Sequence, residues 1–185
     1  SRSICPYGDE TMLVGIDGEG VYQMRRDGQG ACSMLFDANE STSGVLHGNG
    51  IYSILVDTWK NIIVGSYSGG IDIARPIGST IAIYRHMRND AQSLRNDHVN
   101  MVTSLSDHLL LMGTDNGISI LNTQTGLWQH CCQGTVVLSA SKKPDGGLLV
   151  STYGKGIYDL DSEARVRKIY IASNSPLTDD HVFAT

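Results

Sequence analysis

The chain has 185 residues, a hydrophobic content of 41% and a formal net charge of −5. Its length fits a single compact domain, and its acidic balance argues against a nucleic-acid partner, because phosphate binding needs a basic face. No apolar run approaches the roughly 18 residues of a membrane-spanning helix. The 21 glycines follow no collagen period, and this composition is typical of many short strands joined by tight turns.

An internal repeat organises the chain, and such a period decides the fold before any local pattern does. Each copy has an apolar triplet, a small residue, two variable residues, a glycine-rich turn and another apolar run. The small residues lie 50, 48 and 38 residues apart, at Gly15, Gly65, Gly113 and Ser151. A second feature keeps the same register, because Ile51, Val99 and Val137 each lie 14 residues before a small residue. Five residues before these and before Val182 stand Leu46, Leu94, Cys132 and Leu177.

The predicted strands follow the repeat, four to a copy. In the first copy, residues 1–47, they lie at 3–6, 11–17, 21–25 and 31–37. In the second, residues 48–97, they lie at 51–56, 62–67, 71–74 and 80–86. In the third, residues 98–135, they lie at 100–105, 109–114, 118–122 and 127–132. In the fourth, residues 136–180, they lie at 137–141, 148–152, 157–160 and 166–171, and residues 181–185 fit the first strand of a fifth copy.

The expected fold is all-β: a partial β-propeller over residues 1–185, with four antiparallel four-stranded blades and the first strand of a fifth. Continuously apolar second strands, such as the one that begins at Ile62, are typical of strands covered on both faces. Four short strands in about 40–50 residues are the propeller signature. A solenoid is the alternative, but a β-helix repeat is shorter, and the 3.6-residue period of helical repeats is not found. Because four blades leave two apolar end faces open, we expect the fragment to self-associate.

The repeat resembles a known family. A leucine, four variable residues, a valine or isoleucine, an apolar strand and a Gly-rich turn run from Leu46 to Gly70 and from Leu94 to Gly117, and the pattern starts again at Leu177. The segment from Tyr84 to Leu94, Tyr-Arg-His-Met-Arg-Asn-Asp-Ala-Gln-Ser-Leu, is similar to an inter-blade linker of the same family. These features resemble the two-component regulator propeller repeat of Bacteroides-type hybrid sensor histidine kinases.

The resemblance implies a sensor. Such repeats form the periplasmic part of an inner-membrane protein, which detects oligosaccharides and signals through a β-sandwich and a membrane span to a histidine kinase. The partners it implies are an oligosaccharide, further blades and the signalling domains, and it implies no enzyme activity and no cofactor for this segment. Two other functions stay open: a propeller scaffold that binds a protein, and a propeller lyase or hydrolase.

One face of the propeller collects candidate ligand-binding residues. If the first strand is innermost, the turn after the second strand and the loop between blades share that face. It then carries Asp17, Tyr67, Asp115 and Tyr153, each two residues after a small residue, together with His98 and His181. The same loops carry His47, Asn49, Asp97 and Asp180. Sugars need planar hydrogen-bonding side chains and an aromatic platform, which Asp, Asn, His and Tyr supply.

Each of these residues also has a structural interpretation. An aspartate in a turn commonly caps its own backbone, and a tyrosine at a strand end is commonly packed. His98 and His181 both follow an aspartate, so a metal pair is conceivable, but they lie two blades apart, and a turn histidine bonded to backbone is the simpler explanation. Trp59 is expected on the opposite face, as a sugar platform, an inter-domain contact or the cover of a blade edge.

The remaining motifs give no catalytic, cofactor or metal site. No Gly-x-Ser-x-Gly or His-Glu-x-x-His sequence is present. The four cysteines, Cys5, Cys32, Cys131 and Cys132, lack zinc-ligand spacing. A bond between the adjacent Cys131 and Cys132 is not expected, because neighbouring strand residues point to opposite faces.

Overall fold

The computed structural model describes residues 2–30, 32–38, 45–75 and 81–184. They form four antiparallel four-stranded sheets, and within each sheet the strands are ordered as they are in the chain. The predicted fold class, an all-β propeller fragment, is confirmed. The described residues contain no helix, and therefore no helix long and apolar enough to cross a membrane.

The sheets are named blades 1 to 4. Blade 1 contains β1 (Ser3–Tyr7), β2 (Thr11–Ile16), β3 (Gly20–Arg25) and β4 (Ser33–Phe36). Blade 2 contains β5 (Ile51–Val56), β6 (Ile62–Ser66), β7 (Gly70–Ala74) and β8 (Ile81–Tyr84). Blade 3 contains β9 (Val99–Ser106), β10 (Leu109–Thr114), β11 (Gly117–Asn122) and β12 (Trp128–Cys131). Blade 4 contains β13 (Val136–Lys142), β14 (Leu148–Tyr153), β15 (Ile157–Leu160) and β16 (Val166–Tyr170).

The strand predictions are confirmed, with small shifts at the ends. One of these shifts is in β8, which stops at Tyr84 rather than at residue 86. His86 leaves the sheet because its N–H donates to Asp97 Oδ1 at 2.6 Å and its Nδ1 contacts the Leu94 carbonyl at 2.8 Å. Residues 1, 31, 80 and 185, which the predictions include, lie outside the described residues.

The first strand of each blade is innermost. Strand β5 contacts β1 and β9, and β9 contacts β13, so the four first strands lie side by side. One cluster of buried apolar side chains fills each junction between neighbouring blades. Strand β6 is buried along its whole length, as its unbroken apolar sequence predicted.

The small residue of the repeat makes room for the next blade. A Cβ on Gly113 would lie 2.5 Å from Val137 Cγ1, and one on Gly15 would lie 2.6 Å from Ile51 Cγ2. Both distances are too short for real atoms, so the glycine is required by the first apolar residue of the following blade. Ser151 of blade 4 holds the same position, and its hydroxyl lies 2.6 Å from that of Ser139.

The leucine that precedes blades 2 and 3 closes the junction in front of each. Leu46 and Leu94 are 2% and 0% exposed, whereas Leu177, after blade 4, is half-buried. No strand is assigned within residues 181–184, which join blade 4 through a 2.9 Å hydrogen bond from the Val182 N–H to the Thr152 carbonyl.

Apolar side chains are exposed at both ends of the array. On blade 1, Ile4 is 63% exposed and Met34 is 42% exposed. On blade 4, Leu149, Ile157 and Leu177 line an open apolar cavity of about 360 Å³. Self-association through these faces stays a prediction.

In the hairpin turn of blade 4, two hydrogen bonds stabilise the ionised carboxylate of Asp145. Its carboxylate accepts the Gly147 N–H at 3.0 Å and an Arg167 Nη1 hydrogen bond at 2.6 Å. These two interactions, the backbone one first, lower the pKa of Asp145 from its ordinary 3.8 to about 2. The turn predicted from Pro144 to Gly147 is therefore fixed by its own aspartate.

We expect Leu94→Ala to lower the free energy of unfolding by about 2–5 kcal/mol, because it opens a cavity at a closed junction. Leu177→Ala is the matched control and should cost about 1 kcal/mol, because Leu177 is already half exposed. Urea unfolding followed by fluorescence measures both. Equal losses would show that Leu94 does not close the junction.

We expect Asp145→Asn to destabilise the chain at pH 6 but not at pH 2. The folded-state pKa of Asp145 is lowered, so its stabilising effect is present above the ordinary value and is lost as the pH falls through about 2. Urea midpoints of both proteins between pH 6 and 2 measure the difference. A constant difference over that range would contradict the assignment.

Candidate functional site

In blades 2, 3 and 4 a β-bulge in the innermost strand leaves one residue out of the ladder. The register of β5 on β6 shifts between Ile51 and Ser53, and that of β13 on β14 shifts between Val137 and Ser139. Strand β9 has the same irregularity between Val99 and Met101. A bulge leaves one residue outside the ladder and redirects its side chain. The residues freed in this way are Tyr52, Asn100 and Leu138.

These side chains meet at one open cavity of about 400 Å³. The cavity is lined by Arg2, Tyr52, Asn100, Leu138 and Phe183. Arg2 and Phe183 hold the same repeat position as the three bulged residues, one before blade 1 and one after blade 4. The sequence predictions missed all five. A sequence signal for them does exist. Four of them directly follow the residue that lies 14 positions before the small residue of their repeat copy, and Phe183 directly follows Val182.

Blades 1 and 2 are joined at the cavity rim by charge and aromatic contacts. Arg2 Nε lies 3.1 Å from Asp17 Oδ2. The guanidinium carbon of Arg2 lies 4.3 Å from the centre of the Tyr52 ring, a cation–π geometry. The Tyr52 ring is 5.4 Å from that of Tyr67. The predicted residues Asp17 and Tyr67 thus flank two of the cavity residues.

The rim continues into blade 3. Tyr67 stacks on His98 with a centroid separation of 4.2 Å. His98 Nδ1 lies 3.0 Å from Asp115 Oδ2, and Asn100 Nδ2 donates to Asp115 Oδ1 at 2.9 Å. Three predicted residues, Tyr67, His98 and Asp115, therefore belong to one connected set. We call this set the rim network: Asp17, Arg2, Tyr52, Tyr67, His98, Asp115 and Asn100.

The structural interpretation expected Asp115 to cap its own turn, but Asp115 does not do so. The preceding residue does so, because Thr114 Oγ1 accepts the Asn116 N–H at 3.1 Å and donates to the Gly117 carbonyl at 2.8 Å. The Asp115 carboxylate is therefore left to orient His98 and Asn100. Asn100 Nδ2 donates a second hydrogen bond, to the Val137 carbonyl, at 3.0 Å.

Tyr153 and His181 form a separate group at blade 4. Their rings are 4.4 Å apart, edge to face, and Tyr153 also lies 6.1 Å from Phe183. His181 Nδ1 lies 2.6 Å from Asp179, so His98 and His181 pair with different carboxylates. Within the described ranges no three His, Cys, Asp or Glu side chains are grouped to hold a metal.

The other polar residues of these loops make hydrogen bonds within the chain. Asn49, Asp97 and Asp180 each accept a backbone N–H from the end of the preceding blade, at 2.6, 2.6 and 2.7 Å. His47 donates its backbone N–H to the buried Asp72 at 3.0 Å, and its Nδ1 lies 3.0 Å from the same carboxylate. Burial raises the pKa of Asp72, and the two His47 hydrogen bonds oppose that rise.

Trp59 is not part of the rim network. It lies in the turn between β5 and β6, 46% exposed, and stacks on His108 with a centroid separation of 4.9 Å. Asp57 fixes this turn by accepting the Trp59 and Asn61 N–H groups. A role for Trp59 in ligand binding stays a prediction.

Comparison with known proteins shows the fold. No protein-family model matches the chain, and no curated protein sequence matches it. An extracellular domain assigned to a hybrid two-component system of B. thetaiotaomicron has a TM-score of 0.74 and 18% identity over 96% of this chain and 25% of that one. A second such domain from the same organism has a TM-score of 0.76 and 19% identity over 99% and 24%.

A lyase shares the fold at greater distance. Virginiamycin B lyase from Staphylococcus aureus has a TM-score of 0.63 and 15% identity over 91% of this chain and 55% of that one. At these identities the likeness establishes the propeller fold alone. The chain spans about a quarter of the length of the two sensor structures. The predicted resemblance to sensor propellers is therefore confirmed at the level of the fold.

Proposed function

We propose that this chain is part of the periplasmic sensor domain of a hybrid two-component system, where it binds an oligosaccharide and contributes to signalling to a histidine kinase. The observation that carries the proposal is the rim network, which connects blades 1, 2 and 3 around an open cavity. The likeness to extracellular domains of two-component systems supports the same conclusion.

The cavity offers the chemistry that a sugar requires. Asn100 donates twice through Nδ2, which leaves Oδ1 as an acceptor. Within the described part of the chain, nothing hydrogen-bonds to the Tyr52 hydroxyl or to the terminal nitrogens of Arg2. Leu138 and Phe183 supply an apolar wall. A sugar has polar edges and apolar C–H faces, so its hydroxyls would pair with the first group and its ring would lie on the second.

The rim network would also hold the binding groups in place. Arg2 is fixed by Asp17, and Asn100 by Asp115, so neither side chain has to be ordered when a ligand binds. A preorganised site loses less entropy on association. A ligand seated on Tyr52, Asn100 and Leu138 would touch three blades at once and stabilise their relative positions, which is the coupling that a sensor needs.

Among oligosaccharides prepared from dietary and host glycans, we expect at least one to raise the melting temperature of the chain. Tyr67→Ala should weaken binding of that oligosaccharide about tenfold, or about 1.4 kcal/mol, because Tyr67 supports both Tyr52 and His98. Calorimetric titration measures the affinity.

Tyr170→Ala is the matched control for Tyr67→Ala. Tyr170 lies on β16, away from the cavity, and its loss should leave the affinity unchanged. If no oligosaccharide binds, or if the chain captures a protein partner equally with and without sugar, the scaffold function is favoured. Degradation of a polysaccharide by the purified chain would favour a lyase or hydrolase.

We expect the reading frame around this segment to encode further blades, a secretion signal, one membrane span and a histidine kinase. The proposed function requires these parts, because this segment has no signalling domain among its described residues. Sequencing the flanking DNA tests the expectation. Flanks that contain only a few more blades would contradict the sensor function.

A further inference from the structure

Two adjacent cysteines lie at the junction between blades 3 and 4. Cys131 ends β12, and Cys132 takes the place that Leu46 and Leu94 occupy at the other junctions. Both thiols are free and half-buried. The rim network does not use them.

The two side chains lie on the same side of the chain. Regular strand alternation would point them to opposite faces, but the backbone of Cys132 is left-handed, with φ at 55°. This conformation is uncommon for a residue with a Cβ. As a result, both side chains pack against the same junction cluster, which includes Ile118, Val137 and Leu148. The sequence argument against a bond between adjacent strand cysteines does not hold here.

One member of the pair, Cys131, faces a cavity that small molecules can enter. Cys131 lines an open cavity of about 540 Å³ between blades 3 and 4, together with Leu105, His130 and Arg165. The thiols also interact with each other. A hydrogen bond from Cys131 lowers the pKa of Cys132, and the same bond, aided by burial, raises the pKa of Cys131. A lower pKa increases the fraction of Cys132 that is present as thiolate, the form in which a cysteine begins disulfide exchange.

We propose that Cys131 and Cys132 are an oxidative modification site, which a small disulfide such as glutathione disulfide converts into a vicinal disulfide. The Cys132 thiolate attacks one sulfur of the reagent, and the first glutathione leaves as a thiolate. Cys131 loses its proton and attacks the mixed disulfide, which releases the second glutathione. Two protein thiols are oxidised by two electrons, and one glutathione disulfide is reduced to two glutathione molecules.

The modification would act directly beside the candidate site. The loop after Cys132 is tied to the turn between β10 and β11, because the Gly134 N–H donates to Asn116 Oδ1 at 3.0 Å and the Gly117 N–H donates to the Thr135 carbonyl at 2.7 Å. Asn116 follows Asp115 of the rim network. A disulfide that moves Cys132 therefore moves a loop that holds the Asp115 turn.

The test uses the full chain with Cys5→Ser and Cys32→Ser, so that only the pair can react. Trypsin then yields the peptide 96–142, which contains both cysteines and no lysine or arginine before its last residue. After incubation with glutathione disulfide, we expect this peptide to be lighter by two hydrogen atoms and to carry no glutathione. The reaction should be at least tenfold faster in the folded chain than in urea.

Cys132→Leu in the same background is the matched control, because leucine is the residue at positions 46 and 94. It should give a single, stable glutathione adduct on Cys131. Cys131→Ser serves the same purpose if Cys132→Leu does not fold. Two glutathione adducts on the unsubstituted pair, a disulfide-linked dimer, an unreacted pair or an equal rate in urea would each overturn the proposal.

Discussion

The close approach of each blade to the small residue of the preceding one is the contact on which the rest of this structure depends. At each junction an apolar side chain packs directly on a glycine backbone, where a Cβ would not fit. These side chains are Ile51, Val99 and Val137. This contact fixes how far one blade is displaced from the next. It therefore sets where the innermost strands lie relative to one another, and with them the positions whose side chains reach the cavity. A change at Gly113 would thus alter the position of blade 4 as well as local packing.

The cavity rim shows how a repeat array can build one site from parts that no single blade contains. Arg2, Tyr52 and Asn100 come from three different blades, yet each is held by a neighbour: Asp17, Tyr67 or Asp115. Ion pairing, ring stacking and hydrogen bonding alternate along the rim. The half-exposed charges contribute little stability individually, so their value lies in orientation. The backbone needs of the turns are met by other side chains, such as Thr114.

The sequence predicted the fold closely because the internal repeat defines the blades and the strands within them. The small residues, and the leucine or cysteine five positions before the first apolar residue of the next blade, define the register, and β5, β10 and β15 have the predicted bounds. The site was predicted only in part. Asp17, Tyr67, His98 and Asp115 lie at one rim, as their shared face predicted, and their role in ligand binding stays a prediction. Their partners Tyr52 and Asn100 were missed, because a bulge does not show in a pattern of alternating residues. The same limit applies to Cys132, whose left-handed backbone depends on its place at the junction.

The bulged residues have a further consequence for how such a chain can change. A bulged residue has no residue paired opposite it in the ladder, so the backbone hydrogen bonds of the flanking strands do not depend on which side chain stands there. The five cavity positions already hold an arginine, a tyrosine, an asparagine, a leucine and a phenylalanine. A substitution at Tyr52, Asn100 or Leu138 would therefore change the lining of the cavity while the backbone pairing of the blades stays in place.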